Sequence, residues 1–302
     1  MKKRQLADLA AAAFLAIGAA GLVGAEGADS KTTALLAKLR QSLGGEAKLA
    51  SVKSLSLEAD MRRVLPGQGA EPGPEMSGDI KIDIGDPSHY LFVDSFSPMA
   101  GMPLISIGSG LDGETSWSAP LSPPSGPVMI RTAGGDPAQL RARLERDLTR
   151  IYVALLAGGG RAGIEFTYGG GAESPDGRAQ ILEVKGPGDF KGKLFLDEKT
   201  ARPMMIVYPE AARRMVMQRS GRGSAPPPEG HGEGAAASGP APPSLSPELK
   251  EARMFLADYK SEGGVSFPHS ITIKVQEGIT EEWTVQNIKV NPAFGPDYFK
   301  KR

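Results

Sequence analysis

Asp79, Asp83 and Asp94 are the side chains whose type and spacing best suit acid–base chemistry. Paired carboxylates divide acid and base roles when they meet within a few ångströms in different surroundings. The residues around them favour another use. Ile80, Ile82 and Ile84 alternate with Asp79, Lys81 and Asp83, a pattern that places the aspartates on the wet face of half-buried strands. An envelope hydrolase whose carboxylates meet only in three dimensions is the least favoured of three functional classes. Gly108, Gly110 and Gly113 match the G-x-G-x-x-G spacing that lets a pyrophosphate approach a helix start. Here the residues that follow, "ETSWSAP", read as strand and then proline-rich loop, so a hairpin turn is the better reading. His89 lies beside a turn, His231 in a Pro/Gly-rich stretch and His269 beside Pro268, with no pair at metal-ligand spacing. No G-x-S-x-G elbow is present. The expectation is therefore no catalytic residue, no metal and no cofactor, with Trp117 and Trp283 as packing residues.

The elements that would position any site are legible from periodicity. "SKTTALLAKLRQSL", Ser30 to Leu43, carries Leu35, Leu36, Leu39 and Leu43 at helical spacing, and Gly44-Gly45 stops it. A second helix is predicted from Asp136 to Leu156, with Leu140, Leu144, Leu148, Ile151 and Leu155 on one stripe, Asp136-Pro137 at its start and Gly158-Gly159-Gly160 after it. "VKSLSLEADM" alternates Leu55, Leu57, Ala59 and Met61 with polar partners, as a half-exposed strand does. "GDIKIDIGDPSHYLFVDSF" spells a hairpin turning at Gly85 to Ser88, and "PLISIGSGLDGETSW" suggests another turning between Gly110 and Gly113. Further strands are predicted at 164–168, 179–185, 192–196 and 203–208. They resume in "EARMFLADYK", in a hairpin around Gly263-Gly264, and in "ITEEWTVQNIKV". Between the two groups, Ser220 to Ser246 has almost no apolar bulk and reads as a disordered insertion.

The chain begins Lys2-Lys3-Arg4, runs apolar and small to Val23, and offers Val23 and Ala25 before Glu26. These features predict a secretory signal peptide over 1–25 and a single mature domain over 26–302. The leader takes three of the 35 basic residues and one of the 35 acidic ones, leaving 32 against 34. That balance gives nucleic acid nothing to bind. With 0 Cys there is neither a disulfide framework nor a thiol for a lipid anchor. The expected product is exported, periplasmic and soluble after cleavage.

In this order, "LGGEAKLASVKSLSLEADM", "LDGETSW", "LFLDEKTARPMMIVY", "ADYKSEGGVSFPHSITI" and "VQNIKVNPAFGPDYF" resemble the outer-membrane lipoprotein carrier and sorting-protein family, the LolA-like proteins. The "LDEKTARP" phrase carries a D-x-x-T-x-x-P turn from Asp197 to Pro203. The resemblance implies an α+β fold: a strongly curved antiparallel sheet, an unclosed β-barrel, with helices over its concave face and an apolar cavity for acyl chains. It also implies a non-enzymatic binding or carrier protein whose partners are a lipid or acylated lipoprotein and envelope donor and acceptor proteins. A sensor or interaction module of the same fold is the alternative. The family's functional arginine is not assignable to Arg62, Arg63 or another position. The proline-rich stretch Pro120 to Pro127 and the 220–246 insertion depart from a compact carrier.

Periodicity supplies the candidate lining residues for such a cavity. They are Leu55, Leu57 and Met61; Ile80, Ile82 and Ile84; Ile271 and Ile273; and, on the helix taken as lid and wall, Leu144, Leu148, Ile151 and Leu155.

Overall fold

The computed structural model describes residues 25–67, 73–97, 104–121, 128–129, 136–174, 177–211, 218–219, 249–275 and 278–301. The leader lies outside the described residues up to residue 24, as do the 220–246 insertion and His231.

Alternating sequence produces a 12-stranded antiparallel sheet. Its first half is built from β1 (Leu55–Val64), β2 (Glu75–Asp86), β3 (His89–Phe96), β4 (Ile105–Asp112) and β5 (Thr115–Pro120). A two-residue strand, β6 (Val128–Met129), pairs apart from this sheet with β11 (Gln218–Arg219). The second half comprises β7 (Glu165–Ser174), β8 (Gly177–Gly186), β9 (Phe190–Asp197) and β10 (Pro203–Ala211), then β12 (Leu249–Glu262), β13 (Val265–Val275) and β14 (Ile279–Val290). The last strand returns to pair with the first, Leu55 opposite Val290, so the halves join at β1 and β14. The order is β5-β4-β3-β2-β1-β14-β13-β12-β10-β9-β8-β7, and the edges β5 and β7 do not pair with one another. This is an unclosed barrel. The predicted strands are all present, generally longer than the alternating cores that announced them.

Three helices complete the described structure: α1 (Ala25–Ser42), α2 (Glu46–Ser51) and α3 (Pro137–Leu156). The α3 start follows from its sequence. Asp136 accepts a hydrogen bond from the Ala138 amide at 3.0 Å, and Pro137 stands where its missing N–H costs nothing. Ala157 ends the helix in the left-handed conformation at φ 50°. The short α2 was not evident from periodicity, since one turn and a half shows too few apolar positions to register.

One hydrophobic cluster gathers inward side chains from β1 to β4, β8 to β10 and β12 to β14, together with leucines of all three helices. Leu39, Leu43 and Leu148 are fully buried in it. On the outer face, Leu91, Trp117 and Ala119 form a separate cluster with Phe299 of the C-terminal tail. Gly108 and Gly110 belong to β4, and Cβ atoms there would lie 3.0 and 2.7 Å from the Trp117 ring. The glycine-rich phrase is thus a platform for a tryptophan in the β4–β5 hairpin. The Trp117 indole donates to the Phe299 carbonyl at 2.7 Å, and the Tyr298 hydroxyl to Asp83 at 2.7 Å.

Two of the three aspartates depart from the expected wet face. Asp79 is exposed. Asp83 does face outward, but the returning tail buries it beneath Tyr298. Asp94 shares the inner face with Tyr90, Phe92 and Phe96, because side chains two apart on a strand point the same way. The burial of Asp83 depends on a chain segment far away in sequence, whereas the inward side of Asp94 follows from the alternation of its own strand.

Candidate functional site

Inward alternation on β1 runs Leu55, Leu57, Ala59, Met61 and then Arg63, so the apolar face ends on an arginine. Its directly paired neighbour on β14 is Glu281. The Arg63 Nε donates to Glu281 at 2.7 Å, and a terminal nitrogen donates to Asp94 of β3 at 2.9 Å. The Trp283 indole donates to the other Glu281 oxygen at 2.6 Å. Arg63, Asp94 and Glu281 are at most 9 % exposed, so the ion pairs stand at the edge of the core rather than on the surface. Sequence reasoning did not assign this group. The continued alternation from Leu55 to position 63 was the available signal.

The twelve candidate lining residues are placed in one cluster, with exposures of 0–7 %. Leu55, Leu57 and Met61 come from β1; Ile80, Ile82 and Ile84 from β2; Ile271 and Ile273 from β13; and Leu144, Leu148, Ile151 and Leu155 from α3. In this conformation the helix and sheet fill the interior with each other's side chains. Trp283, Tyr90 and Phe267 contribute the bulkiest of these groups.

α3 lies on the inner face between β4–β5 and β9, and polar contacts fasten its flanks to two strand turns. Arg141 donates to the Gly113 carbonyl at 3.0 Å in the β4–β5 turn and pairs with Glu145 at 3.0 Å. In the β8–β9 turn, Thr149 donates to Pro187 at 3.2 Å and Arg146 to Gly188 at 3.2 Å. Arg150 pairs with Glu210 of β10 at 2.8 Å and with Asp147 at 3.3 Å, its guanidinium 4.7 Å from the centre of the Tyr208 ring. Burial opposes its charge, but Tyr208, Asp147 and Glu210 outweigh that and hold it protonated well above the ordinary arginine range.

A concavity of about 310 Å³ opens between α1 and β7. Thr32, Leu36, Arg40, Ile164 and Phe166 line it, with Arg40 joined to Glu46 at 2.9 Å. The Thr32 hydroxyl accepts the Tyr168 amide at 2.8 Å, so α1 covers part of the β7 edge. His89 contacts Asp86 at 2.8 Å and Asp112 at 3.1 Å, clasping two turns. His269 is buried, its Nδ1 3.2 Å from the Phe267 carbonyl. Among the described residues no group of three or more His, Cys, Asp or Glu is arranged to hold a metal ion, and no helix is long and apolar enough to cross a membrane.

No known family matches the sequence, and no curated protein does. Solved structures do resemble it. A LolA superfamily protein from Nitrosomonas europaea is 12 % identical, with 89 % of this chain and 97 % of that one covered at a TM-score of 0.45. A DUF1329 family protein from Desulfovibrio piger is 11 % identical over 89 % and 97 % of the two chains, at 0.43. A putative outer membrane lipoprotein-sorting protein domain from Vibrio parahaemolyticus is 10 % identical over 90 % and 97 %, also at 0.43. These are likenesses of fold at low identity; the open antiparallel barrel with helices is read from this chain's own strand order.

Proposed function

We propose that the protein is an exported, non-enzymatic carrier that binds the acyl chain of a lipid or lipoprotein between α3 and the inner face of the sheet. One observation carries this reading. A single helix lays an apolar stripe against an apolar sheet face, while much of its fastening is polar and lies at its flanks. Polar clasps of this kind exchange with water at small net cost, about 1 kcal/mol each. An acyl chain supplies about 0.8 kcal/mol per buried methylene, so ten methylenes offer about 8 kcal/mol before ordering costs. The chain would replace the helix stripe as the cover for Leu55, Leu57, Met61, Ile80, Ile82, Ile84, Ile271 and Ile273. Leu144, Leu148, Ile151 and Leu155 would then line its other side. Residues 26–302 act as one domain in this reading, with 220–246 as an expendable insertion, and envelope proteins deliver and receive the cargo.

The test uses a staple that the structure offers. A Cβ at Gly186 would lie 3.8 Å from the Thr149 Cβ, within the range a disulfide spans, and the chain has 0 Cys to interfere. Thr149→Cys with Gly186→Cys pins α3 to the sheet when oxidised. The oxidised protein should take up a fluorescent fatty acid far more slowly than the reduced one, and reductant should restore uptake. Equal uptake in both states, or none by the parent protein, would sink the reading.

A further inference from the structure

The same helix carries a second feature. Arg143, Arg146 and Arg150 fall at i, i+3 and i+7, one stripe along the flank of α3. With Asp147, Glu210, Phe190, Tyr208 and Pro209 they line a crevice of about 10 Å³, room for one oxygen-sized atom. The two carboxylates are both engaged by Arg150, at 3.3 and 2.8 Å. Arg146 spends one terminal nitrogen on the Gly188 carbonyl, and Arg143 is exposed at the mouth. A guanidinium has five N–H donors, so both retain donors for a ligand. Deeper in, Arg150 is 3 % exposed and its Nε has no acceptor among the described residues. Three cations against two anions leave an excess positive charge. The floor of the crevice, Phe190 and Tyr208, stacks with ring centres 6.5 Å apart and belongs to the same apolar cluster as Leu144 and Leu148.

We propose that this crevice is the head-group subsite for a phosphate-bearing amphiphile, with Arg143 and Arg146 gripping the phosphate and one oxygen entering toward Arg150. The chain then passes Phe190 and Tyr208 to lie beneath α3. The proposal rests on the acyl-binding reading for the tail, and on the arginine stripe for the head. Paired guanidiniums suit phosphate because they present parallel donors to adjacent oxygens.

The experiment compares a monoacylglycerol with the lysophosphatidic acid of the same acyl chain, below their aggregation limits, by calorimetry and native mass spectrometry. Inorganic phosphate is run alone as a third probe. The parent should bind the phosphorylated lipid about tenfold more tightly, the usual worth of a charge-assisted hydrogen bond. Arg143→Gln with Arg146→Gln should abolish that preference. Because Arg146 also fastens α3 to Gly188, monoacylglycerol binding is compared in Arg143→Gln alone, which should weaken the preference and leave monoacylglycerol binding unchanged. Melting curves verify that the variant folds, and Arg143→Gln alone, at the exposed position, serves if the double variant does not. Equal affinity of the parent for both lipids overturns the proposal, as does a preference that survives the substitutions. If neither lipid binds, the acyl reading fails, and inorganic phosphate decides the subsite: binding lost in the variant supports it, and no binding overturns it.

Discussion

Arg63 on β1 and Asp94 on β3 meet at 2.9 Å although β2 runs between their strands. Arg63 pairs with Met76 of β2 and Asp94 with Ile80, and midway between those two stands Gly78. Glycine leaves the path across β2 free of a side chain. A Cβ there would also run into the Ser95 carbonyl oxygen. Gly78→Ala should therefore lower stability by about 1–3 kcal/mol, the usual range for forced overpacking. Urea unfolding measures it.

The triad itself should reveal the cost of burying charge. Arg63→Met leaves Asp94 and Glu281 facing each other near the core and should cost about 3–5 kcal/mol. Adding Asp94→Asn and Glu281→Gln removes the stranded charges while keeping an acceptor for Trp283, and most of the loss should return. A triple variant as unstable as Arg63→Met alone would mean that packing by the arginine stem, not charge, is what matters.

Leu148 is fully buried where α3 meets the sheet. Leu148→Ala should cost about 2–5 kcal/mol, through lost transfer energy and the space left behind. That space is apolar, so a small apolar probe such as benzene should bind the variant and raise its melting temperature, with no such effect on the parent.

Gly110 separates a hairpin from a nucleotide loop. Gly110→Ala places a methyl group 2.7 Å from the Trp117 ring and should shift tryptophan fluorescence and lower the melting temperature. Adding an adenine dinucleotide should change neither protein's melting. A protective shift in the parent that the substitution removes would restore the nucleotide reading.

Acid should loosen one turn before it unfolds the sheet. The Thr200 side chain first, then the backbone amides of Thr200 and Lys199, donate to Asp197 and hold its carboxyl below the ordinary range despite some burial. A carboxylate depressed in the folded state stabilises above its unfolded pKa, and that contribution is lost as pH falls through the lower folded value. Asp197→Ala should cost about 1 kcal/mol at neutral pH. The deficit should shrink as pH falls below about 4, the unfolded aspartate value, and paired melts across that range measure it. A deficit independent of pH would mean that the hydrogen bonds contribute little to the turn.

Much of the fold was legible because its signals are local. A two-residue period fixes which side chains share a strand face, a three-to-four-residue period fixes a helix stripe, and Gly-Gly, Asp-Pro and D-x-x-T-x-x-P mark where each run stops. Thus α3, the β2–β3 and β12–β13 hairpins and the inward sides of β1 and β2 could be read from residues close in sequence. Even Arg63 inherited its inward direction from the alternation beginning at Leu55. What lay opposite it could not be read this way. Glu281 is more than two hundred positions away, and Asp94 becomes its partner only through the pairing of β1, β2 and β3 with Gly78 between them. The same holds for Asp83, polar by alternation yet buried because a tail from the far end of the chain lays Tyr298 over it. The spacing of Arg143, Arg146 and Arg150 lies in the sequence of α3 but was given no role there, because only tertiary packing sets Phe190, Tyr208 and Glu210 against them. Periodicity encodes which way a side chain points; long-range register and packing decide what it meets there.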